Sequence, residues 1–571
     1  MGTQRTARPS PATAPIGEQV LSNAQIADRL ASLAQLLSAS KENPYKVRAY
    51  QRAAAKLRTL SESVDELVRS ETDLTQYAGI GEAIGSAIRE IVLTGTLGKL
   101  EKLRSQAGSE LIGISEHPRL DPKRVLRIYK KFNISDIEAL KEKLQSGEIE
   151  KTMGLRMAQH VRQGVTEIHG MLLYKADDLR VAVEEFLVND CRVLRAEAVG
   201  DYRRRVEVLE EIVFVIETDD SAKVISRLER YGGRTPLLKS TKDSATFALS
   251  SGVMLQVHTA REQDWGTALV TCTGSKAHLR KLIAVTGSLT ELPFSSESAL
   301  YKNFDLQFIE PELREGHDEI NRAAEGTLPV LVSAKDIRGE LHAHSTSSDG
   351  SNSIEQMAAA ARKKGYEYIG ITDHSQSLKI AGGVSIEDLW KQIRFIDKLN
   401  ERSHGCRILK SAEVDILADG SLDYPDDLLA ELDYTVCSIH SRFALGKAEQ
   451  TERLLRAMDN RHFTILGHAT GRLLLKRPGY EIDMDRVISH AKSNGCFFEI
   501  NSSPDRLDLS ADNARNAATA GIKIAVSTDA HSTRELDLVR LGIDQARRAG
   551  LDKESVLNCK SWEKLRLHFK R

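Results

Sequence analysis

Cysteine pairs, long apolar runs and a signal-peptide core are all missing from this sequence. Its 571 residues include only 6 cysteines, which are scattered and never form a CxxC pair. This spacing argues against a disulfide framework and against a zinc ribbon, and it favours a reducing compartment. No apolar stretch approaches the roughly 20 residues that a membrane-spanning helix needs. We therefore expect a cytoplasmic protein that has no membrane partner.

A surplus of charge of either sign is missing as well. The chain has 80 lysines and arginines against 81 aspartates and glutamates, which gives a formal net charge of −1 at pH 7. The protein as a whole therefore lacks the electrostatic footprint of a nucleic-acid binder, although local basic faces remain compatible with one. Because the chain is too long for one hydrophobic core, we expect roughly three to five domains.

Residues 23–106 have the periodicity of helices and contain a turn that is typical of phosphate binding. Apolar residues recur three and four positions apart in IADRLASLAQLLSAS. In YAGIGEAIGSAIREIVLTG, Gly79 and Gly81 form a turn between two amphipathic helices, the pattern of a helix-hairpin-helix. Such glycines let the backbone approach a phosphate, and the next helix offers free N–H groups. We predict that this turn binds a DNA backbone without reading its sequence; an ordinary helix connection is the alternative.

Composition and periodicity divide the rest of the chain. Residues 1–22 are expected to form a disordered tail. Residues 107–178 are expected to be helical, with a second hairpin-like segment at 117–147 whose turn at 119–122 lacks both glycines. Residues 179–262 place short strands such as EIVFVIE and VMLQVHT between helices, which indicates an α+β sheet. A small helical segment at 263–327 and a linker at 328–337 follow. From 338 to 571, strands alternate with helices, which is typical of an α/β barrel.

Histidine and carboxylate side chains end the strands of this last segment. They are His342, His344, Asp349, His374, Glu413, His440, His468, Asp529 and His531. In an extended segment His342 and His344 point to one side, because side chains alternate along a strand. Imidazole and carboxylate are ligands of zinc, manganese and iron. We therefore predict a cluster of divalent ions, and such clusters hydrolyse phosphoesters well.

These residues resemble the metal ligands of the PHP (polymerase and histidinol phosphatase) domain. The first motif of that family usually begins with aspartate, whereas this chain has Glu340, which is not itself a ligand position. The resemblance implies a distorted α/β barrel with three metal ions, manganese preferred and zinc or iron as alternatives. It implies one ion held by His342, His344, Glu413 and Asp529, a second by Glu413, His440 and His468, and a third by Asp349, His374 and His531. Glu413, His440 and Asp529 would form the catalytic centre around a metal-activated water.

The chain from about residue 23 onward resembles a bacterial family X DNA polymerase with a C-terminal PHP domain. The resemblance lies in NPYKVRAYQRAA and GIGEAIGSAI of the helical region, in TGSKAH, and in PELREG before the barrel. It implies a fingers-like domain at 107–178, a nucleotidyltransferase-like palm at 179–262 and a thumb-like domain at 263–327. It also implies a bacterial cytoplasmic protein whose partners are gapped, nicked or 3′-ended DNA and other repair proteins.

The polymerase motif departs from the family pattern at its catalytic positions. Aligned on Gly200, the three metal-binding carboxylates fall on Glu211, Val213 and Met254. Valine and methionine offer no oxygen ligand to magnesium, which would be the cofactor of any residual polymerase activity. We predict that this site is degenerate; the alternative is that the carboxylates lie elsewhere in the chain.

Four arginines are predicted to contact phosphate. They are Arg203 and Arg204 beside the degenerate site, and Arg472 and Arg506 beside the strand ends of the barrel.

The sequence thus predicts a DNA-binding, metal-dependent 3′–5′ exonuclease or DNA-end phosphoesterase of repair, with an inactive polymerase core. Abasic-site endonuclease and 3′-phosphatase activities remain open as its main reaction. One alternative is a bifunctional gap-filling DNA polymerase and 3′–5′ exonuclease in base-excision repair. Another is a non-catalytic scaffold that binds DNA ends. A small-molecule phosphatase fits the barrel chemistry but leaves the N-terminal half without a role.

Overall fold

A computed structural model describes most of the chain. The described residues are 21, 23–40, 42–58, 60, 62–106, 122–134, 136–154, 157–158, 161, 170–233, 235–249, 252–289, 292–402 and 405–569. The predicted tail, apart from residue 21, and residues 117–121 of the second hairpin-like segment lie outside them. The chain divides into two compact units. The first comprises Met1–Thr166, Ile225–Pro236 and Leu249–Ser251, and the second Glu167–Val224, Leu237–Ala248 and Gly252–Arg571. Each of these units combines separate segments of the chain, so the division does not test the predicted domain boundaries, which stay predictions.

The first unit is helical. Its described helices are α1 (Asn23–Ala39), α2 (Pro44–Leu57), α3 (Val64–Arg69), α4 (Glu82–Thr94), α5 (Gly98–Gln106), α6 (Pro122–Phe132), α7 (Ile137–Gln145) and α8 (Glu148–Met153). The apolar residues of α1 that recur three and four apart are buried, as their spacing predicts. Helix α2 begins at Pro44, and the Asn43 side chain accepts a hydrogen bond from the Tyr45 N–H at 2.9 Å. Proline at the first helical position after an asparagine cap is a favoured start.

The second unit begins with a five-stranded mixed sheet. Its strands are β2 (Arg195–Val199), β4 (Glu211–Glu217), β5 (Leu237–Ser240), β6 (Ser244–Ala248) and β7 (Met254–Thr259), in the spatial order β2-β4-β7-β6-β5. Strands β4 and β7 are parallel, and the other pairs are antiparallel. A short ladder of β1 (Met171–Leu172) and β3 (Val208–Leu209) lies outside this sheet. The predicted α+β character of this region is confirmed.

Helices accompany this sheet. They are α9 (Leu173–Asn189), α10 (Gly200–Arg203), α11 (Ser221–Leu228), α12 (Trp265–Thr273), α13 (Lys276–Thr286), α14 (Glu297–Asn303) and α15 (Glu319–Glu325). The division between the two units falls inside α11. Val213 in the middle of β4 is buried and belongs to an apolar cluster with Val199, Val215, Trp265 and Leu269. The centre of this sheet is therefore a packed hydrophobic core.

Seven parallel strands form the C-terminal sheet. They are β8 (Gly339–Ala343), β9 (Tyr368–Ile371), β10 (Arg407–Asp415), β11 (Tyr434–Ser438), β12 (Ile465–Leu466), β13 (Phe497–Asn501) and β14 (Ile524–Ser527), and neighbours in the chain are neighbours in the sheet. A parallel bridge between Ala343 and Ala530 connects the two ends of the sheet. The result is a nearly closed barrel, and the predicted fold class is confirmed.

Helices follow most strands of the barrel and cover its outside. They are α16 (Ile354–Lys363), α17 (Ile386–Arg402), α18 (Asp426–Leu429), α19 (Lys447–Met458), α20 (Met484–Asn494), α21 (Ala511–Thr519), α22 (Val539–Arg548) and α23 (Trp562–Phe569). Because both faces of the parallel sheet are covered, its strands are buried along most of their length. Among the described residues, no helix combines the length and the hydrophobicity that crossing a membrane demands.

Candidate metal centre

The carboxyl ends of the barrel strands bring the predicted ligands together. His342 lies in β8, Glu413 in β10, and the other ligand residues lie in the segments that follow β8, β9, β11, β12 and β14. His342, His344 and Glu413 are essentially inaccessible to solvent, and Asp349 and His531 are about one third exposed at the rim. A buried cluster with one open side can hold ions and still admit a substrate.

Four of these side chains surround one point. His344 Nε2 lies 3.0 Å and His342 Nε2 3.4 Å from Asp529 Oδ1. The same two nitrogens lie 3.7 and 3.5 Å from Glu413 Oε2. Ligand atoms about 2.1 Å from a tetrahedral ion are separated by about 3.4 Å. This group therefore has the dimensions of a single metal site, and its members are those expected for the first ion.

A second group lies at the rim of the barrel. His531 Nε2 lies 3.3 Å from Asp349 Oδ1, and His374 Nε2 lies 3.5 Å from Asp349 Oδ2. The Nδ1 atom of His344 lies 3.9 Å from Asp349 Oδ1. The three residues expected to hold one further ion are thus adjacent, and the second nitrogen of His344 faces the same space.

Glu413 lies at the centre of the third group. Its Oε1 lies 2.9 Å from His468 Nε2 and 3.3 Å from His440 Nε2. Its Oε2 lies 2.8 Å from His374 Nδ1. Glu413, His374 and His440 could hold an ion together, so His374 joins this group as well as the rim group. Both oxygens of Glu413 would therefore be available as metal ligands beside these histidines.

Among the described residues, several buried polar atoms of the cluster make no hydrogen bond of good geometry. They include His342 Nε2, His344 Nδ1, His374 Nδ1 and Glu413 Oε2. Buried polar atoms are nearly always satisfied, since leaving one without a partner costs roughly 1–3 kcal/mol. Cations held by the groups described above would satisfy the lone pairs of these atoms. The donor set of nitrogen and carboxylate oxygen suits zinc, manganese or iron, so the residues fit the predicted group.

Two carboxylates orient the histidines and were not predicted from the sequence. Asp415 Oδ1 accepts a hydrogen bond from His440 Nδ1 at 2.5 Å. Glu499 Oε1 accepts one from His342 Nδ1 at 2.6 Å, and its Oε2 accepts one from the backbone N–H of His468 at 2.7 Å. The two ring bonds fix the tautomers of His440 and His342 and leave Nε2 of each facing the cluster, and the backbone bond holds the segment that carries His468. The available signal was the spacing of Asp415, two residues beyond Glu413 and on the same strand face.

Glu340 occupies the position where the family usually has aspartate. It is completely buried, and burial raises its pKa to about 7 even though three groups of His342 and Thr528 donate to it. The His342 N–H donates at 2.9 Å, and the N–H and hydroxyl of Thr528 donate at 3.0 and 2.8 Å. The side chain therefore ties the strand that carries His342 to the segment that carries Asp529.

Opposite charges set the protonation of the cluster. Burial alone would lower the pKa of His342, but Glu499, Asp529 and Glu413 outweigh burial and raise the pKa well above its usual value. Burial would raise the pKa of Glu413, but His440, His374 and His342 hold it well below its usual range. Neighbouring carboxylates thus favour the protonated form of His342 when no ion is bound, and a cation would displace that proton.

The predicted polymerase-like position has no comparable cluster. Glu211 and Met254 are direct partners across β4 and β7, and the Glu211 side chain accepts a hydrogen bond from Gln256. Burial, followed by the charges of Asp201 and Glu210, raises the pKa of Glu211. Within the described part of the chain, the groups of three or more side chains that could hold an ion all lie in the barrel.

The arginines beside this position are engaged by protein groups. Both terminal nitrogens of Arg203 donate to Glu297 at 2.8 Å. Arg204 donates to Asp201, to Glu315 at 3.2 Å and to the Thr273 carbonyl at 2.5 Å. A phosphate would have to displace these carboxylates, and phosphate binding by Arg203 and Arg204 stays a prediction.

The arginines beside the barrel differ from each other. Arg472 donates to the Arg506 carbonyl at 2.9 Å, to the Leu507 carbonyl and to Glu207 at 3.1 Å. The Nε atom of Arg506 lies 3.7 Å from Asp529 Oδ2. Arg506 therefore borders the candidate metal centre, whereas the Arg472 guanidinium is already bonded to the protein.

The glycines of the N-terminal hairpin are exposed. Gly79 has φ +90°, and a Cβ at either Gly79 or Gly81 would meet no protein atom within 4 Å. The turn precedes α4, and Ile80 between the glycines is buried. Internal packing thus leaves open the space above these glycines, which is where a phosphate is predicted to approach.

Comparison with known proteins agrees with the predictions for the N-terminal hairpin and for the C-terminal barrel. Residues 21–97 match the helix-hairpin-helix domain, and residues 340–503 match the PHP domain. The chain is 32% identical over 567 residues, 95% of its length and 98% of the relative's, to the DNA polymerase/3′-5′ exonuclease PolX of Bacillus subtilis (strain 168). It is 32% identical over 231 residues, 38% of its length and 89% of the relative's, to a protein of Thermoanaerobacter sp. (strain X514) named "Probable phosphatase". A "Probable phosphatase" of Caldanaerobacter subterraneus subsp. tengcongensis is 29% identical over 231 residues, 38% of this chain and 86% of the relative.

Proposed function

Because the chain belongs to the PolX family of bacterial DNA polymerase/3′-5′ exonucleases with a C-terminal PHP domain, we propose that it is a metal-dependent 3′–5′ exonuclease that shortens DNA ends during repair in the cytoplasm. We propose further that its polymerase-like site is inactive. The observation that carries the first proposal is the convergence of the predicted ligands at the carboxyl ends of the barrel strands.

The chemistry follows from the arrangement of the side chains. Divalent ions held by these residues, manganese in this proposal, would supply a hydroxide nucleophile at neutral pH and would neutralise the charge of a phosphodiester. Glu413 presents one oxygen to His374 and the other to His468, so its carboxylate would be a ligand shared within the cluster. Asp415 keeps His440 in the tautomer whose Nε2 faces the centre. Arg506 lies beside Asp529, where its guanidinium can hold a phosphate of the strand being cut.

The inactive polymerase site is supported by the side chains at its catalytic positions. Val213 is buried against the apolar cluster under β4 and offers no oxygen ligand. Met254 likewise offers none, and it lies directly opposite Glu211. One carboxylate alone cannot hold the two magnesium ions of nucleotidyl transfer, because magnesium needs several oxygen ligands. The family resemblance of this region then describes its ancestry, and DNA binding is the role it retains.

A second candidate is a bifunctional gap-filling polymerase and exonuclease. It is favoured by the Bacillus subtilis relative, which is named for both activities and matches 95% of the chain. It requires that Glu211 and other carboxylates bind magnesium when DNA and a nucleotide are present. This candidate and the first agree on the barrel and differ only in whether the primer is extended.

One experiment separates the two candidates. A gapped duplex with a 5′-labelled primer is incubated with the protein and Mn²⁺ or Mg²⁺, with and without deoxynucleotides, and the products are resolved on a denaturing gel. We expect shortening of the primer with Mn²⁺ and no lengthening under any condition. Lengthening would establish the bifunctional candidate, and an unchanged primer would refute the exonuclease.

Variants assign the activity to the barrel. His440→Ala and Glu413→Ala are each expected to abolish shortening, because each removes a ligand of the central group. His490→Ala is the matched control, since this histidine lies on the surface helix α20 and pairs with Asp459 at 2.8 Å. If the control loses activity as fully as the two variants, the loss is not specific to the centre.

A further inference from the structure

A carboxylate of the mixed-sheet region, which is the part of the second unit that precedes the barrel, contacts two arginines of the barrel domain. Glu207 lies between α10 and β3, and its side chain is 16% exposed. Its Oε1 lies 3.1 Å from Arg472 Nη2, and its Oε2 lies 2.9 Å from Arg548 Nη1. Burial would raise the pKa of Glu207, but Arg548 and Arg472 outweigh burial and lower it. The side chain is therefore an ionised partner of two arginines that belong to the barrel.

Arg472 connects this carboxylate to a loop at the metal centre. Its Nε donates to the Arg506 carbonyl at 2.9 Å, and its Nη2 donates to the Leu507 carbonyl as well as to Glu207. Leu507 has φ +43°, a conformation that non-glycine residues adopt only when their surroundings impose it. One guanidinium thus holds two consecutive carbonyls of a strained turn, and Glu207 supplies its counter-charge.

The turn carries the arginine that borders the centre. Arg506 Nε lies 3.7 Å from Asp529 Oδ2, and its side chain is 21% exposed. Asn501, at the end of β13, also contacts this carboxylate, since its Nδ2 donates to Asp529 Oδ2 at 3.1 Å. The position of the Arg506 guanidinium relative to the candidate ligands is therefore set by the turn, and the turn is set by Arg472.

From these contacts we propose that Glu207 is a positioning residue for the phosphoesterase site. It acts through Arg472 and the 506–507 turn, and it places Arg506 so that its guanidinium binds a phosphate of the DNA strand that enters the centre. This inference rests on the proposed function and adds to it a role for the mixed-sheet region. Through Glu207, which lies two positions after Arg205, that region would complete the site of the barrel.

The physical reason is a charge-assisted bond that a neutral amide replaces only with a weaker one. In Glu207→Gln the Arg472 guanidinium loses its counter-charge and the side chain at position 207 keeps one acceptor oxygen, so the guanidinium is held less firmly against the turn. Displacements of about 1 Å in a substrate-positioning group cost on the order of 100-fold in rate. Loss of a group that orients a site residue costs roughly 10- to 100-fold. We expect Glu207→Gln to lower kcat/KM for a 3′-ended DNA within this range.

Salt dependence tests the route through Arg506. A protein loses a slope of about 0.9 in log Kd against log salt for each phosphate contact that is removed. Binding of a fluorescent 3′-overhang duplex is measured by anisotropy at several salt concentrations, for the full chain. Arg506→Ala is expected to reduce the slope by about 1, and Glu207→Gln by a similar amount. In the double variant the two reductions should not add, because both variants remove the same contact.

A control variant distinguishes a specific effect on Arg506 from a general weakening of the contacts between the mixed-sheet region and the barrel. Glu312 pairs with Arg547 at 2.6 Å, and Arg547 donates to the Val332 carbonyl rather than to the turn. Glu312→Gln removes one ion pair between the mixed-sheet region and α22 without touching Arg472. It is expected to keep the slope and kcat/KM of the unaltered protein. Thermal unfolding of both variants shows whether they cost similar stability.

The outcomes are distinct. If Glu207→Gln and Glu312→Gln behave alike, or if the effects of Glu207→Gln and Arg506→Ala add fully, Glu207 does not act through Arg506. If the unaltered protein leaves DNA ends intact, the proposed function fails. The anisotropy experiment still decides the inference in that case, because it measures a phosphate contact rather than cleavage.

Discussion

Replacement of Asp415 by asparagine tests the metal centre through a residue that is not itself a predicted ligand. Asp415 Oδ1 accepts from His440 Nδ1 at 2.5 Å, and Oδ2 accepts from the Ser377 hydroxyl at 2.7 Å. Burial would lower the pKa of His440, but the charges of Glu413 and Asp415 raise it to about 9. Asparagine keeps the shape and can keep one acceptor, so the variant removes mainly the negative charge behind the imidazole.

The expected loss follows from the role of that charge. A carboxylate behind a ligating histidine raises the basicity of the nitrogen that faces the metal, and its loss typically costs 10- to 100-fold in metal affinity or activity. This range corresponds to about 1.4–2.7 kcal/mol. Asp415→Ala also removes the hydrogen bond that holds the ring, so we expect its loss to exceed that of Asp415→Asn.

Manganese titration of the metal-free chain by calorimetry measures the affinity, and primer shortening measures the activity. Asp419→Asn is the matched control, because Asp419 lies four residues further on and is exposed, and its side chain accepts from the N–H and the hydroxyl of Ser421 in the same turn. Asp415→Asn and Asp415→Ala proteins that bind manganese within twofold of the unaltered chain would refute the assignment of His440 to the centre.

Three further predictions use other parts of the chain. Gly467→Ala is expected to lower the free energy of unfolding by about 1–3 kcal/mol and to weaken metal binding at the adjoining strand end, because its Cβ would lie 2.4 Å from the Ser438 hydroxyl. A Cβ at Gly446 would meet nothing within 4 Å, so Gly446→Ala should change neither manganese binding by calorimetry nor thermal unfolding. Gly79→Ala and Gly95→Ala both place alanine at positive φ without a clash, so each costs roughly 1 kcal/mol, but only Gly79→Ala should weaken DNA binding by anisotropy. Burial would raise the pKa of Glu297, but Arg203 and Arg314 outweigh burial and lower that pKa in the folded protein. The ionised Glu297 therefore stabilises the fold at pH values above the unfolded pKa of about 4.3, and this stabilisation is lost as the pH falls through the lower pKa of the folded state. The urea midpoint of Glu297→Gln should therefore fall less than that of the unaltered chain between pH 5 and pH 3; an equal fall would contradict this.

The ligands were predictable because each stands at a strand end, and parallel strands bring their carboxyl ends to one edge. His342 and His344 could be placed on one side from alternation alone. Glu499 could not, because its role depends on its side chain meeting His342 of β8 although β13 is not paired with β8, and nothing local in FFEINSS specifies that contact. Composition and alternation thus predict which side chains lie on one face of a strand, whereas the contacts of those side chains depend on the packing of the whole barrel.

The arginines illustrate the limit more sharply. Arg472 was predicted to bind phosphate because it follows His468 on a strand end, yet its guanidinium is bonded to Glu207, which lies 265 positions earlier in the chain. No periodicity or motif connects positions so far apart, since only the packing of the mixed-sheet region on the barrel makes them neighbours. The fold class depended on repeated local patterns and was predictable for that reason.

The bridge between Ala343 and Ala530 has a consequence for how the centre comes into being. The His344 N–H donates to the Ala530 carbonyl at 2.8 Å, and the Ala530 N–H donates to the His342 carbonyl at 3.3 Å. Ligands flank the bridge on both sides, so the hydrogen bonds that close the barrel also bring His342 and His344 against Asp529 and His531. The two segments are separated by most of the domain, and contacts so distant in the chain form late in folding. A chain that has not closed its last strand therefore has only fragments of the metal site, and tight metal binding marks the molecules whose barrel is complete.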